Sequence, residues 1–430
     1  MPHPDTIRLV LVIIALVFFG VGVIRPFYGA ISYLIIMMIR PGLYYPSLGA
    51  LRIELIVGVA IIIRMALSPD ALSRIWDLSN PVIKWMFALF AVMGISMAQA
   101  IDFKHSLDWM FDFSKIFLFF LMIVGLIDDK RDLKMFLWAF GIVTCLIAYD
   151  AIYNYHAGVL VKSTEGSERV DYAVASDGMG SGHVALASLI LQCMPFLWYL
   201  GACGEDRALK GFGFLLFLVC FYGVVISGSR GGFVGLLTLG GCLVLFSKNR
   251  IVMLVIVAAC VFAIPIVSQT GYMDYIRTII GGTDLSASSR WTGLRHGLEM
   301  LIKKPILGVG PGCYPLARKE WFGWGLWAHN HYGELLGDLG MVGTVVWFVF
   351  FKSYFIKAWQ HVRQPLCDPM IKNVCLAVVV SSIVKLVLGM GAHSVYVFYW
   401  YMTAGLMAVV TRTVSNIESK SDPGDVARQE

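Results

Sequence analysis

Three short segments bring together residue types that handle phosphate and protons. The first is Ser227-Gly228-Ser229-Arg230-Gly231-Gly232, set between two apolar runs. Glycines let backbone N–H groups come close to a ligand, and a guanidinium grips phosphate oxygens in bidentate fashion. An arginine at the end of a membrane helix is otherwise costly unless it snorkels or pairs. A tight interhelical turn with a snorkelling Arg230 is therefore the alternative reading. The second segment is Ser286-Ala287-Ser288-Ser289-Arg290-Trp291, followed by Arg295-His296. Trp291, Leu294, Leu298 and Leu301 recur at helical spacing and predict an amphipathic helix from Arg290 to Lys304. Its apolar stripe suits a membrane surface or the roof of a cavity. An ordinary surface helix explains the stripe but not the arginine that opens it. Pro305 ends the helix, and Gly308, Gly310 and Gly312 predict a flexible turn. The third segment is Ala328-His329-Asn330-His331-Tyr332-Gly333-Glu334 at the start of a further apolar run. Histidines at i and i+2 do not share a helix face, and no further ligands stand at zinc spacing. One histidine at a membrane boundary can serve as a general base near neutral pH, or can simply sit in an interfacial aromatic belt.

Other polar residues fall near the same boundary: Arg169, Asp171, Asp177, His183 and His393. The stretch 167–182, rich in Gly, Ser and Asp, has the character of a substrate-facing loop. Glu54, Arg64 and Lys385 sit inside apolar runs, where charged groups pair or snorkel, and carry no assigned role.

The elements that must position these residues are membrane helices. Of 430 residues, 58% are hydrophobic and only 14% charged, with a mean hydropathy of +0.75. A soluble chain carries about 25% charged residues. This composition excludes a soluble enzyme, a disordered chain and a nucleic-acid-binding domain. Long unbroken apolar runs exclude an outer-membrane barrel. The nine cysteines show neither zinc spacing nor a disulfide framework and are expected to pack between helices.

Apolar runs fall at about 9–24, 27–39, 53–67, 82–98, 111–127, 133–153, 183–201, 209–226, 232–247, 251–268, 333–357, 373–390 and 394–412. The run 9–24 lacks a small-residue cleavage site and is read as a retained helix. Run 27–39 gives roughly 20 Å of helix against the roughly 30 Å that a bilayer needs. Counting it as a span gives thirteen spans and an external amino end. Treating it as re-entrant gives twelve with both ends inside, and about twelve is the expected count. Basic loops at 128–134, 204–210, 248–250 and 352–363 are assigned to the cytoplasm by the positive-inside rule. Segments 155–182 and 269–332 then lie outside. The segment from Gln269 to Ala328 holds seven Lys/Arg and four acids, a balance suited to an anionic ligand or to a solvated loop. The expected fold is an all-α polytopic membrane protein, residues 1–414 forming one integral domain that includes a large helical periplasmic loop at 269–332. Residues 415–430 are read as a polar, flexible cytoplasmic tail.

Taken in order, the motifs resemble the bacterial O-antigen ligase and polymerase superfamily. The resemblance rests on Ser229-Arg230-Gly231-Gly232, Ser289-Arg290, Pro305-Ile306-Leu307-Gly308-Val309-Gly310, and His329-Asn330 followed by Gly340-Met341-Val342-Gly343. It covers about 180–350 well and the earlier helices only in character. It implies the fold of a helical glycosyltransferase using lipid phosphosugars, in the bacterial inner membrane with its active site facing the periplasm. The donor would be a glycan on undecaprenyl diphosphate. The acceptor would be a sugar hydroxyl of lipid A–core for a ligase, or of another lipid-linked repeat for a polymerase. A protein-directed oligosaccharyltransferase is a further reading. A glycan transporter is disfavoured, because the suspected residues gather at one face and not near the bilayer midplane. By the same resemblance, Arg230 and Arg290 would hold the diphosphate, and His329 would deprotonate the acceptor. Arg169, Arg295, Asn330, His331, Glu334 and His393 are further candidates for substrate contact. No metal or cofactor is implied, since guanidiniums neutralise the leaving group. Gly333 and Glu334 depart from the apolar residues that many relatives carry there.

Overall fold

A computed structural model describes residues 4–45, 47–48, 52–159, 161–162, 168–169, 182–202, 207–267, 285–364 and 368–421. Every apolar run becomes a helix. In chain order these are α1 (Pro4–Ile24), α2 (Phe27–Ile39), the short α3 (Pro41–Tyr44), α4 (Ile53–Ala66), α5 (Pro69–Ile75), α6 (Pro81–Ser96), α7 (Phe103–Leu126), α8 (Lys130–His156), α9 (Gly182–Ala202), α10 (Arg207–Ile226), α11 (Arg230–Phe246) and α12 (Arg250–Val267). There follow α13 (Leu285–Lys303), α14 (Tyr314–Phe322), α15 (His331–Arg363), α16 (Pro369–Gly389) and α17 (Phe398–Ser421). The one sheet among the described residues is a two-residue antiparallel ribbon pairing Val161 with Arg169.

The chain is an all-α polytopic membrane protein. Among the described residues, seven helices are long and apolar enough to cross a bilayer, and α4 with α5 makes an eighth if that pair, bent by 101°, counts as one span. Helices α1, α2, α11 and α12 are apolar but shorter in their described extent. Side chains such as Ile56, Leu245 and Val255 stand exposed on the flank of the bundle, as lipid-facing residues do.

Helices α1 and α2 form an antiparallel hairpin, with Ser32 Oγ donating to the Ala15 carbonyl. Arg8 of α1 pairs with Asp150 at 2.7 Å, and Arg25 lies within electrostatic reach of Asp132. Thus α1 runs the length of α8, and α2 runs back beside it. The amino end of α1 shares an end of the bundle with the amino ends of α9, α11 and α15. The opposite end carries the basic loops, tied by ion pairs Arg74–Asp128 and Lys130–Asp368. Helix α17 extends to Ser421, into the stretch expected to be tail.

Segment 285–330 folds against the amino half of α15. Asp102 caps α7, and Ile101 N–H donates to the Val309 carbonyl. The turn expected to be flexible is pinned. Gly308, Gly310 and Gly312 all have positive φ, the region glycine enters without steric cost. Asp338 of α15, wholly buried, accepts from the N–H groups of Gly312 and Tyr314 and from the Tyr396 hydroxyl. A second tie runs the other way. Gly340 breaks α15 with φ 63° and ψ −161°. The N–H groups of Met341 and Val342 then bond the carbonyls of Pro305 and Ile306. Helix breaks free backbone groups that must find partners in a buried setting, and the Pro305–Gly312 segment supplies them.

Candidate active site

Helices α13 and α15 cross through glycine. A Cβ built on Gly293 would overlap the Ala328 carbonyl oxygen, and one on Gly297 would overlap the Gly333 carbonyl. Backbone therefore meets backbone on both sides of His329. One helical turn before Gly293 stands Arg290. Its guanidinium lies against Gly391, where a Cβ would sit 3.4 Å from Nε and Cζ.

His329 lies before the helix, not on it. The cap of α15 is Asn330, whose Oδ1 accepts from the N–H groups of Tyr332 and Gly333. His329 itself takes a left-handed conformation, φ 46°, which costs a residue other than glycine roughly 1–3 kcal/mol when fully strained. That turn directs the chain from the Trp327 strap into α15. Buried Arg318 holds the strap, with Nη1 donating to the carbonyls of Leu326 and Trp327 and Nε to Nδ1 of His296. Burial first, then the nearby Arg290 and Arg318 guanidiniums, lower the His329 pKa from its ordinary value. The imidazole is thus neutral at pH 7, the form a general base requires.

The third member of the cluster is His393. Its ring lies 5.2 Å from that of His329 and stacks on Trp327 at 5.1 Å. It is 5% exposed, and neither ring nitrogen has a hydrogen-bond partner among the described residues. His393 belongs to the segment joining α16 to α17, residues 390–397, and this segment ties the site together. Met390 accepts from Asn330 Nδ2, Gly391 supports Arg290, and the N–H groups of Ser394 and Val395 donate to Glu334 Oε2. Ser394 Oγ bonds His331 Nδ1. His331 is wholly buried among Trp347, Trp400 and Tyr332.

The structure therefore gathers Arg290, His329, Asn330, His331, Glu334 and His393. Asn330 and Glu334 spend their hydrogen bonds on the fold, and Arg295 points to solvent in an ion pair with Glu299. Arg230 opens α11 behind a Ser229 cap to the Gly232 N–H. Gly235, further along α11, packs on Leu388, so Arg230 stands at the same end of the bundle, on the α11 side of the end of α16. His183 is buried at the start of α9. Asp171 and Asp177 lie outside the described residues, as does the side chain of Arg169.

Residues 215–348 match the family model described as O-antigen ligase. That match supports a place in the O-antigen ligase and polymerase superfamily. The match implies a membrane enzyme of the glycosyltransferase type acting on lipid-linked glycans. No curated protein matches the chain. The O-antigen ligase domain spans Arg230, Arg290 and His329 but stops before the segment 390–397 that packs against Arg290 and His329. Arg318, Asp338, Gly293 and Gly297 were not singled out from sequence. Asp338 does carry a signal, because it stands four residues after Glu334 in an apolar helix, and buried acids there need partners. Arg318 was visible only as one charge among several in the outer segment.

Proposed function

We propose that the chain is an O-antigen ligase, transferring a glycan from undecaprenyl diphosphate to a sugar hydroxyl of lipid A–core at the periplasmic face of the inner membrane. The observation that carries this reading is the contiguity of Arg290, His329 and His393 inside and beside the O-antigen ligase domain. A cation and a neutral imidazole side by side suit attack of a hydroxyl on a glycosyl diphosphate. Arg230 and Arg290 hold the diphosphate oxygens. His329 takes the proton of the acceptor hydroxyl as its oxygen attacks the anomeric carbon. The bond from that carbon to the phosphate oxygen breaks, and undecaprenyl diphosphate leaves with the electron pair. The guanidiniums stabilise the charge that develops there, and in-line attack inverts the anomeric carbon. His329 later gives its proton to water.

The basic ends at 128–134 and 248–250 support a cytoplasmic placement for the end opposite the site. A cysteine placed at Ser288 should react with an impermeant label in intact cells.

The fate of the glycan in a deletion strain tests the function. Loss of a ligase leaves long chains on the carrier lipid and none on lipid A–core. Single repeats attached to lipid A–core would contradict the ligase reading and indicate a polymerase.

A further inference from the structure

A cavity of about 500 Å³ is lined in part by His393. Its size falls in the range of small-ligand sites, roughly 300–1,000 Å³. Neither Arg230, Arg290 nor His329 lines it. Most of the wall comes instead from α2, α4 and α7 and the loops beside them, with segment 393–399; of the matched residues 215–348, Glu334 alone reaches it. Three cations, Arg40, Arg52 and Lys115, stand with four acids, Glu54, Asp108, Asp112 and the buried Glu334. Mixed charge with one acid in excess is poor for a polyanion. It suits a ligand dense in hydroxyl groups, which carboxylates accept from and guanidiniums donate to. Trp109 and Tyr396 add aromatic surface, their rings 5.2 Å apart. Arg40 and Arg52 both have φ 48°, a conformation uncommon outside glycine that is found where the surroundings impose it, often at ligand sites.

The inner end supplies the second observation. His393 is 5% exposed, lines the cavity, and has two unpartnered ring nitrogens among the described residues. A buried polar group without a partner is destabilising, a cost that a bound hydroxyl would remove. Burial, then nearby His329, pushes the His393 pKa down to about 3, so the ring stays neutral and offers one donor and one acceptor. His329 adjoins both Arg290 and His393, and His393 lines the cavity.

We infer that this cavity is the acceptor subsite, that it binds the terminal sugars of the acceptor glycan, and that His393 hydrogen-bonds the acceptor sugar while His329 takes the proton of its reacting hydroxyl. The inference rests on the transferase reading and assigns acceptor choice to the amino-terminal helices. His393 acts here by touching substrate. The donor keeps to the arginine side.

Binding and transfer are measured separately so that the two readings fail separately. The full chain in nanodiscs is titrated with delipidated core oligosaccharide and, in parallel, with undecaprenyl phosphate. The oligosaccharide should bind the native chain. Arg52→Ala, Asp108→Ala and His393→Gln should each weaken that binding about fivefold or more and leave undecaprenyl phosphate binding unchanged. Arg52 and Asp108 are exposed at the mouth, so their variants fold. Oligosaccharide binding that is absent, or equal in native chain and variants, overturns the subsite. So does a loss of undecaprenyl phosphate binding in the same variants, which would make the cavity a lipid site. Specific oligosaccharide binding without any transfer from a lipid-linked donor leaves the subsite standing and overturns the ligase reading.

Discussion

Gly293 of α13 touches the Ala328 carbonyl so closely that no side chain fits between them. Ala328 precedes His329, and Arg290 stands one turn before Gly293. The glycine contact therefore sets the spacing between the guanidinium and the imidazole. In a free helix, Gly→Ala stabilises by about 1 kcal/mol. Here Gly293→Ala must push α13 off the Trp327–Asn330 strap. A displacement near 1 Å can cost about 100-fold in rate, and that loss in transfer is the expected result. Gly325→Ala, where a Cβ meets only Lys319 side-chain atoms at 3.5 Å or more, should transfer normally. Equal activity in the two variants would contradict the spacing argument.

The arginines should not tolerate lysine. Lysine keeps the charge but loses the planar fork. A hydrogen bond to a charged group is worth about 1.5–3 kcal/mol, so Arg290→Lys and Arg230→Lys should each lower transfer roughly 10- to 100-fold. Gly391→Leu should mimic Arg290→Lys by displacing the guanidinium that rests on it, while Gly391→Ala, at ordinary contact distance, should have little effect. Initial rates with donor held saturating distinguish these outcomes. Near-native transfer in both lysine variants would count against diphosphate binding by either residue.

The pH profile follows from the environment of His329. Burial and two guanidiniums lower its pKa, and a base must be neutral to act. An ordinary imidazole titrates near about 6.5. The acid limb of kcat/KM should therefore fall below that value, with activity retained as pH drops through 6.5 and lost only at more acid pH. An acid limb at or above the ordinary imidazole value would contradict the neutral-base assignment.

Much of the site could be read from the chain because chemistry and helix ends coincide there. Arg230, Arg290 and His329 each stand where an apolar run begins or an amphipathic stripe opens, so residue type and position carried the same message. The helices were legible for the same reason, since a run of apolar residues has few alternatives in a bilayer. What escaped were pairings between distant segments. Gly293 and Gly297 look like helix-weakening residues until Ala328 and Gly333 arrive opposite them. The turn at Gly308–Gly312 reads as flexible until Asp338, more than twenty residues later, accepts its N–H groups. Spacing at i and i+2 says only that His329 and His331 would not share a helix face. The Asn330 cap and the left-handed turn at His329 separate them, leaving one histidine beside Arg290 and the other buried against Trp347 and Trp400.

That separation allows the most direct test. The purified chain and its His329→Ala and His331→Ala variants are each given a lipid-linked glycan donor and lipid A–core, and ligated product is measured against time. A positioned base contributes roughly 10²–10⁴ in rate. The native chain should form product, His329→Ala should lose transfer by that factor while still binding donor, and His331→Ala should retain most of it. An inactive His331→Ala beside an active His329→Ala would contradict the account.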